Sequence, residues 1–170
     1  MFKGEDYAKK GPFEIVTDAQ KSVTTIYVQN HHSELKPTIV HIDGTYRTNS
    51  SGFALYLLCA QNSNCNTETL AFGLLKGETA SNLEEFLALF KKNFHCNTVK
   101  KFITDKDFGE INAIKSIFPE SEIILCYFHN IQSIEQKIAG LAFNTKISIR
   151  DLFKAMSETR SDQKFEQYYV

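Results

Sequence analysis

Two aspartates carry the chemistry this sequence can do. Asp43 closes the apolar run Thr38-Ile39-Val40-His41-Ile42, and Asp105 closes Lys101-Phe102-Ile103-Thr104. Short apolar runs of this kind, rich in β-branched residues, read as buried strands. A carboxylate at the C-terminal end of a strand lies where open α/β sheets place their active sites. Two of them on neighbouring strands present oxygen ligands suited to Mg²⁺ or Mn²⁺. Two such ions about 3.5–4 Å apart drive phosphoryl transfer, one activating the attacking water or hydroxyl and the other stabilising the leaving oxygen. In that scheme Asp43 bridges both ions and Asp105 holds one. Each residue also has a simpler reading: Asp43 as a turn-forming Asp before Gly44, Asp105 as the N-cap of the helix that follows. The pairing at matching strand ends argues for the metal site.

Other polar residues stand nearby in sequence. Asp107 and Glu110 read as first-turn acids that suit a helix dipole. Tyr46 and Arg47, just after Asp43, are candidates for contact with DNA, but packing in the sheet is the expected role of Tyr46. Cys126 and His129 are spaced C-x2-H, which is half of a zinc site. Tetrahedral zinc takes four ligands, and no second pair stands out in the sequence, so no structural zinc is expected. His129 is instead expected at a helix start beside the acidic site, touching substrate phosphate or Asp105. His31-His32 sits in a polar loop and reads as solvated.

The elements that must position these residues follow from periodicity. Residues 13–16 and 23–28 read as a leading hairpin or two short strands. Strands follow at about 38–43, 52–61 and 70–75, joined by short turns, and the Asn-rich stretch 62–67 supplies turn chemistry. Leu83, Phe86, Leu87 and Phe90 then recur at helical spacing within residues 78–94, with Thr79 or Ser81 as cap and Glu84 and Glu85 in the first turn. A strand at 101–105, a helix at 108–117 stopped by Pro119, a strand at 122–128, a helix from about 129 to 140 and a last helix at about 148–169 complete the chain. The order is three strands, then α-β-α-β-α. It predicts an α/β protein with a mixed five-stranded sheet, a three-strand antiparallel meander followed by alternating helix and strand, and helices on both faces. This is the order of a ribonuclease H-like core, in which the first and fourth strands are parallel neighbours. The expected division is a lead-in at 1–35, the core at 36–140, and the start of a helical insertion or C-terminal helices at 141–170.

Composition bounds the partners. A chain of 170 residues is most simply one domain, and its net charge of −1 gives no global attraction to nucleic acid. Lys91-Lys92 and Lys100-Lys101 read as a helix end and a strand start. The four cysteines form no CxxC or CxC pair, and neither a signal peptide nor a membrane-spanning run is evident. Reduced thiols and an intracellular location are expected, with Cys59 and Cys126 in the core and no membrane partner.

Several strings together resemble a known family. Ile42-Asp43-Gly44-Thr45-Tyr46 is similar to the first-aspartate motif of Mutator-like element (MULE) transposases. Ile103-Thr104-Asp105-Lys106-Asp107, followed by a helix and Phe118-Pro119, resembles their second-aspartate block, and Cys126-Tyr127-Phe128-His129 their C-x2-H motif. Ala71 to Leu75, Asn82 to Phe90 and Arg160-Ser161 with Phe165 fit the domesticated branch found in SWIM zinc-finger proteins. The resemblance covers residues 36–170. It implies a ribonuclease H-like fold, a Mg²⁺- or Mn²⁺-dependent D-D-E transposase ancestry, and a nuclear protein whose partner is DNA, transposon ends or nuclear DNA. Asp43 and Asp105 take the places of the first two acids. The third, a glutamate, follows a helical insertion in the family; Glu158 and Glu166 lack its Glu-Ser-x-Asn-like context and are not assigned. The C-x-C and C-x-H pairs of the SWIM motif are absent. Two functions are therefore open: part of a DNA strand-transfer enzyme, this chain alone being inactive, or a catalytically silent module for DNA or protein interaction.

Overall fold

The computed structural model describes residues 13–30, 35–45, 50–77, 79–94 and 96–161. Two compact units divide the chain, Met1–Cys126 and Tyr127–Val170.

The first unit is built on a seven-stranded sheet of β1 (Phe13–Thr17), β2 (Val23–Gln29), β3 (Ile39–Thr45), β4 (Phe53–Gln61), β5 (Thr67–Lys76), β6 (Lys101–Thr104) and β7 (Glu122–Leu125). Their order across the sheet is β1-β2-β5-β4-β3-β6-β7. The meander β3-β4-β5 is antiparallel, and β6 and β7 add parallel to β3. These five strands make the ribonuclease H-like core anticipated from chain order. The sheet is wider than five strands because the leading hairpin docks on the free edge of β5, with Thr25 opposite Leu75 and Gln29 opposite Ala71. An edge left unpaired would expose a row of backbone donors and acceptors.

Local chemistry closes the turns. Asp18 accepts backbone bonds from Gln20 (2.9 Å) and Ser22 (2.8 Å) between β1 and β2. Asn62 does the same for Asn64 and Asn66 (both 3.0 Å) between β4 and β5. A short polar side chain that bonds its own backbone two residues on is the usual way to fix such a turn.

Helices α1 (Ala80–Asn93) and α2 (Phe108–Ile117) connect the parallel strands. Thr79 caps α1 by accepting from the Asn82 amide (3.3 Å), and its stripe Leu83, Phe86, Leu87 and Phe90 is buried. Glu84 and Glu85 lie beyond the first turn. Glu85 instead accepts from the hydroxyls of Thr24 (3.3 Å) and Thr25 (2.7 Å), which ties the leading hairpin to α1. The core is aromatic: Phe86 meets Tyr27 and Tyr56 at centroid distances of 5.9 and 6.4 Å, and Phe118 meets Phe102 at 4.9 Å. Cys96 is buried within it, whereas Cys59 and Cys126 are only half-buried, contrary to expectation. Cys59 sits on the sheet face away from α1, where an apolar run alternates out of the core.

The second unit is a helical hairpin of α3 (Tyr127–Ile138) and α4 (Phe143–Glu158). Tyr127 stacks on Phe153 at 6.0 Å, and the Glu135 carboxylate pairs with the Arg150 guanidinium through two hydrogen bonds. The strand expected to reach residue 128 ends at Leu125, so α3 begins two residues early. Residues 162–170, including Glu166, Phe165 and Tyr169, lie outside the described residues. Among those described, no helix is long and apolar enough to cross a membrane.

Candidate functional site

Strand register brings the two aspartates together. In the parallel β3–β6 ladder Ile39 pairs with Lys101, Val40 with Phe102 and His41 with Ile103. Asp43 and Asp105 each stand two residues past the last of these pairs. Strands in a sheet lie about 4.8 Å apart, so the two residues end up level at neighbouring strand ends. Asp43 is a strand residue, opposite Leu57 of β4, and not a turn former. It is exposed on the face away from α1 and α2, beside a cavity of about 210 Å³ that it lines with His41, Leu57, Cys59, Gln61 and Thr67. Burial pushes the Cys59 thiol up, a hydrogen bond with Thr69 opposes this, and the neighbouring charge of Asp43 adds to it.

Asp105 is not the helix cap. Its Oδ1 accepts from the Asp107 amide (2.8 Å), and Asp107 caps α2 by accepting from the Glu110 amide (3.0 Å). This Asx turn leaves Asp105 half-buried just before the helix. The N-cap role moves two residues on because Asp107, rather than Asp105, immediately precedes the first helical residue.

Glu110 is the residue that sequence reasoning missed. It lies in the first turn of α2, as a helix-dipole acid would, but its side chain turns inward and is only 2% exposed. Thr104, itself fully buried, donates its hydroxyl to Glu110 Oε2 in a short hydrogen bond. Burial pushes the Glu110 carboxyl up to about 8; the Thr104 bond opposes the shift, and the charges of Asp105, Asp107 and Asp43 reinforce it. A carboxyl in that state keeps its proton at neutral pH. The available signal was weak: position 110 is three residues past the cap, on the same side of the helix as Ala113 and Ile114, which are both buried. Gly44, next to Asp43, admits this side chain. A Cβ at Gly44 would stand 2.7 Å from the Tyr56 ring and 3.3 Å from Glu110 Oε1.

The remaining candidates lie on other elements. Cys126 ends the first unit, its amide bonded to the Thr104 carbonyl (2.7 Å), while His129 lies in the first turn of α3 in the second unit. Tyr46, Arg47 and the His31-His32 pair lie outside the described residues. Glu158 ends α4 on the surface, 4.0 Å from Lys154 in an ion pair. Among the described residues no three His, Cys, Asp or Glu side chains converge as a ready metal-binding group. Asp43 and Asp105, each two residues past the β3–β6 ladder, are two acids that could share an ion. Mg²⁺ fits such a pair, because it is commonly held by one or two carboxylates and completes its shell with water and phosphate oxygens.

With this geometry in hand, comparison with known proteins is informative. The PKS-NRPS hybrid synthetase cheA of Chaetomium globosum is 28% identical over 159 residues; the match takes in 89% of this chain and spans only 3% of that protein's length. A solved structure, the catalytic core domain of BIV integrase, aligns with 77% of this chain and 80% of its own at 14% identity, with a TM-score of 0.37. The model of the ribonuclease H-like domain of zinc finger SWIM domain-containing proteins 1 and 3 matches residues 6–124, and the chain belongs to that family.

Proposed function

We propose that this domain binds nucleic acid through a divalent cation held by Asp43 and Asp105, and that it descends from a strand-cleaving transposase of the Mutator-like lineage. The observation that carries this reading is the register of β3 and β6, which sets the two carboxylates level at adjacent strand ends. When bound, Mg²⁺ or Mn²⁺ supplies a positive centre for phosphate oxygens and polarises the water or hydroxyl beside it. The protein's own contribution is to hold two carboxylates near the C-terminal ends of two adjacent interior strands. DNA is the expected nucleic acid and the nucleus the expected place. Strand cleavage itself would need a third acid, and Asp43 and Asp105 would then be its catalytic residues.

The test is Mn²⁺ titration of the purified chain, followed by loss of the free-ion paramagnetic resonance signal, with and without a DNA duplex. Saturable binding that Asp43→Asn and Asp105→Asn each abolish, and DNA retention that requires the ion, support the reading. Absence of binding in the unaltered chain sinks it.

A second reading, a metal-independent module for protein interaction, is favoured by one observation, the net charge of −1. It predicts that neither Mn²⁺ nor DNA binds while the fold is intact.

A further inference from the structure

We propose that Glu110 is a positioning residue for the aspartate pair: from the core side of the sheet, its carboxyl ties the strand end that carries Asp105 to the strand end that carries Asp43. The inference rests on the metal reading above but concerns a residue outside the pair.

The contacts form a closed ring. Asp105 accepts from the Asp107 amide, Asp107 accepts from the Glu110 amide, and Glu110 accepts from the hydroxyl of Thr104, which covalently precedes Asp105. The same carboxyl reaches the neighbouring strand, where its Oε1 stands 3.3 Å from the place a Cβ would occupy on Gly44, the residue after Asp43. One side chain therefore bonds the residue before one aspartate and occupies the space that a side chain would need on the residue after the other. Asp43 itself emerges on the opposite face of the sheet, so Glu110 acts on it through the backbone.

The polarity of position 110 calls for such a role. A buried carboxyl costs desolvation that leucine or methionine would avoid. Ala113 and Ile114, its buried neighbours on α2, show what ordinary core occupants look like there. A hydrocarbon at 110 would leave the Thr104 hydroxyl buried without its acceptor and the strand ends tied only by the ladder, which has no registered pair beyond His41 and Ile103.

The experiment uses the full chain and two readouts, Mn²⁺ affinity and amide hydrogen exchange at Gly44 and Asp105. Glu110→Gln, which preserves the shape and an acceptor oxygen, is expected to keep affinity within about threefold and to keep both amides protected. Glu110→Leu is expected to weaken Mn²⁺ binding at least tenfold and to speed exchange at both amides, while β4 and β5 stay protected. Thr104→Val should reproduce the loss and Thr104→Ser should restore it, which covers the case in which Glu110→Leu fails to fold. Two outcomes overturn the proposal: Glu110→Gln abolishing Mn²⁺ binding with protection unchanged, which would make Glu110 a ligand, or Thr104→Val and a folded Glu110→Leu leaving affinity and exchange untouched. If the unaltered chain binds no Mn²⁺, the metal reading fails, and exchange at Gly44 and Asp105 still decides whether Glu110 ties the two strand ends.

Discussion

His41 and Ile103 are the last registered partners of the parallel β3–β6 ladder, and Asp43 and Asp105 each follow them by two residues. Equal spacing past a shared rung sets the aspartates level at adjacent strand ends. They should therefore act as a unit on a bound cation. Asp43→Asn and Asp105→Asn are each expected to weaken Mn²⁺ binding by more than tenfold, and the double variant to be little worse than either single one. Strict additivity in calorimetric titration would show two independent sites. Neither change should lower thermal stability, because each removes one of two like charges from a crowded strand end.

Glu110 makes stability depend on pH. Its ordinary value of 4.5 is raised to about 8 in the folded protein, chiefly by burial. The folded state then holds more protons than the unfolded state between those two values. Stability falls wherever the native state binds the additional proton and pH rises. Urea midpoints should accordingly decline as pH is raised from 4.5 to 8, beyond the trend set by other groups. The charges of Asp105, Asp107 and Asp43 add to the effect of burial. The Glu110→Gln variant cannot ionise there and should lose this part of the slope. Parallel curves for the two proteins would show that Glu110 ionises normally in the fold.

Asp107, not Asp105, holds the start of α2. Its Oδ1 receives the Glu110 amide, while Asp105 Oδ1 receives the Asp107 amide ahead of the helix. Loss of an N-cap costs about 1 kcal/mol. Asp107→Ala should therefore lower stability by about that amount, and Asp107→Asn by much less, since asparagine caps as well. Asp105→Ala should cost less than Asp107→Ala in denaturant unfolding while removing the cation. The reverse ranking would move the cap back to Asp105.

What the sequence made legible was the strand ends, and the reason is periodicity. Short apolar runs ending in Asp declare both the strand and the position of the acid, and the order of elements then sets β3 beside β6. The hairpin Phe13–Gln29 was visible as strands but not as part of the sheet, because nothing local in Val23–Gln29 says which edge it will join. That choice is made by Tyr27 beneath Phe86 and by Glu85 reaching Thr24 and Thr25 across about sixty residues. Glu110 was hidden for a related reason. A first-turn acid satisfies the helix dipole whether it faces water or the core, and only Thr104 on a different element turns it inward.

Gly73 shows how that hairpin is locked. It is the register partner of Tyr27 on β2 and of Tyr56 on β4, so a glycine lies between two tyrosines along one row of the sheet. Phe86 from α1 fills the gap: a Cβ at Gly73 would stand 2.6 Å from its ring, and the ring contacts both tyrosines. A glycine inside a strand is ordinarily a weakness, and close approach of another group is what justifies it. Gly73→Ala should displace the Phe86 ring and cost about 1–3 kcal/mol. Phe86→Ala should cost about 3–5 kcal/mol, since the side chain is fully buried. In the double variant the new methyl group no longer meets a ring, so the total loss should fall short of the sum by about 1 kcal/mol, the coupling expected of residues in direct contact. Urea unfolding of the four proteins measures this directly. Simple additivity would mean that Gly73 is kept for strand geometry alone and that Phe86 does not rest on its backbone.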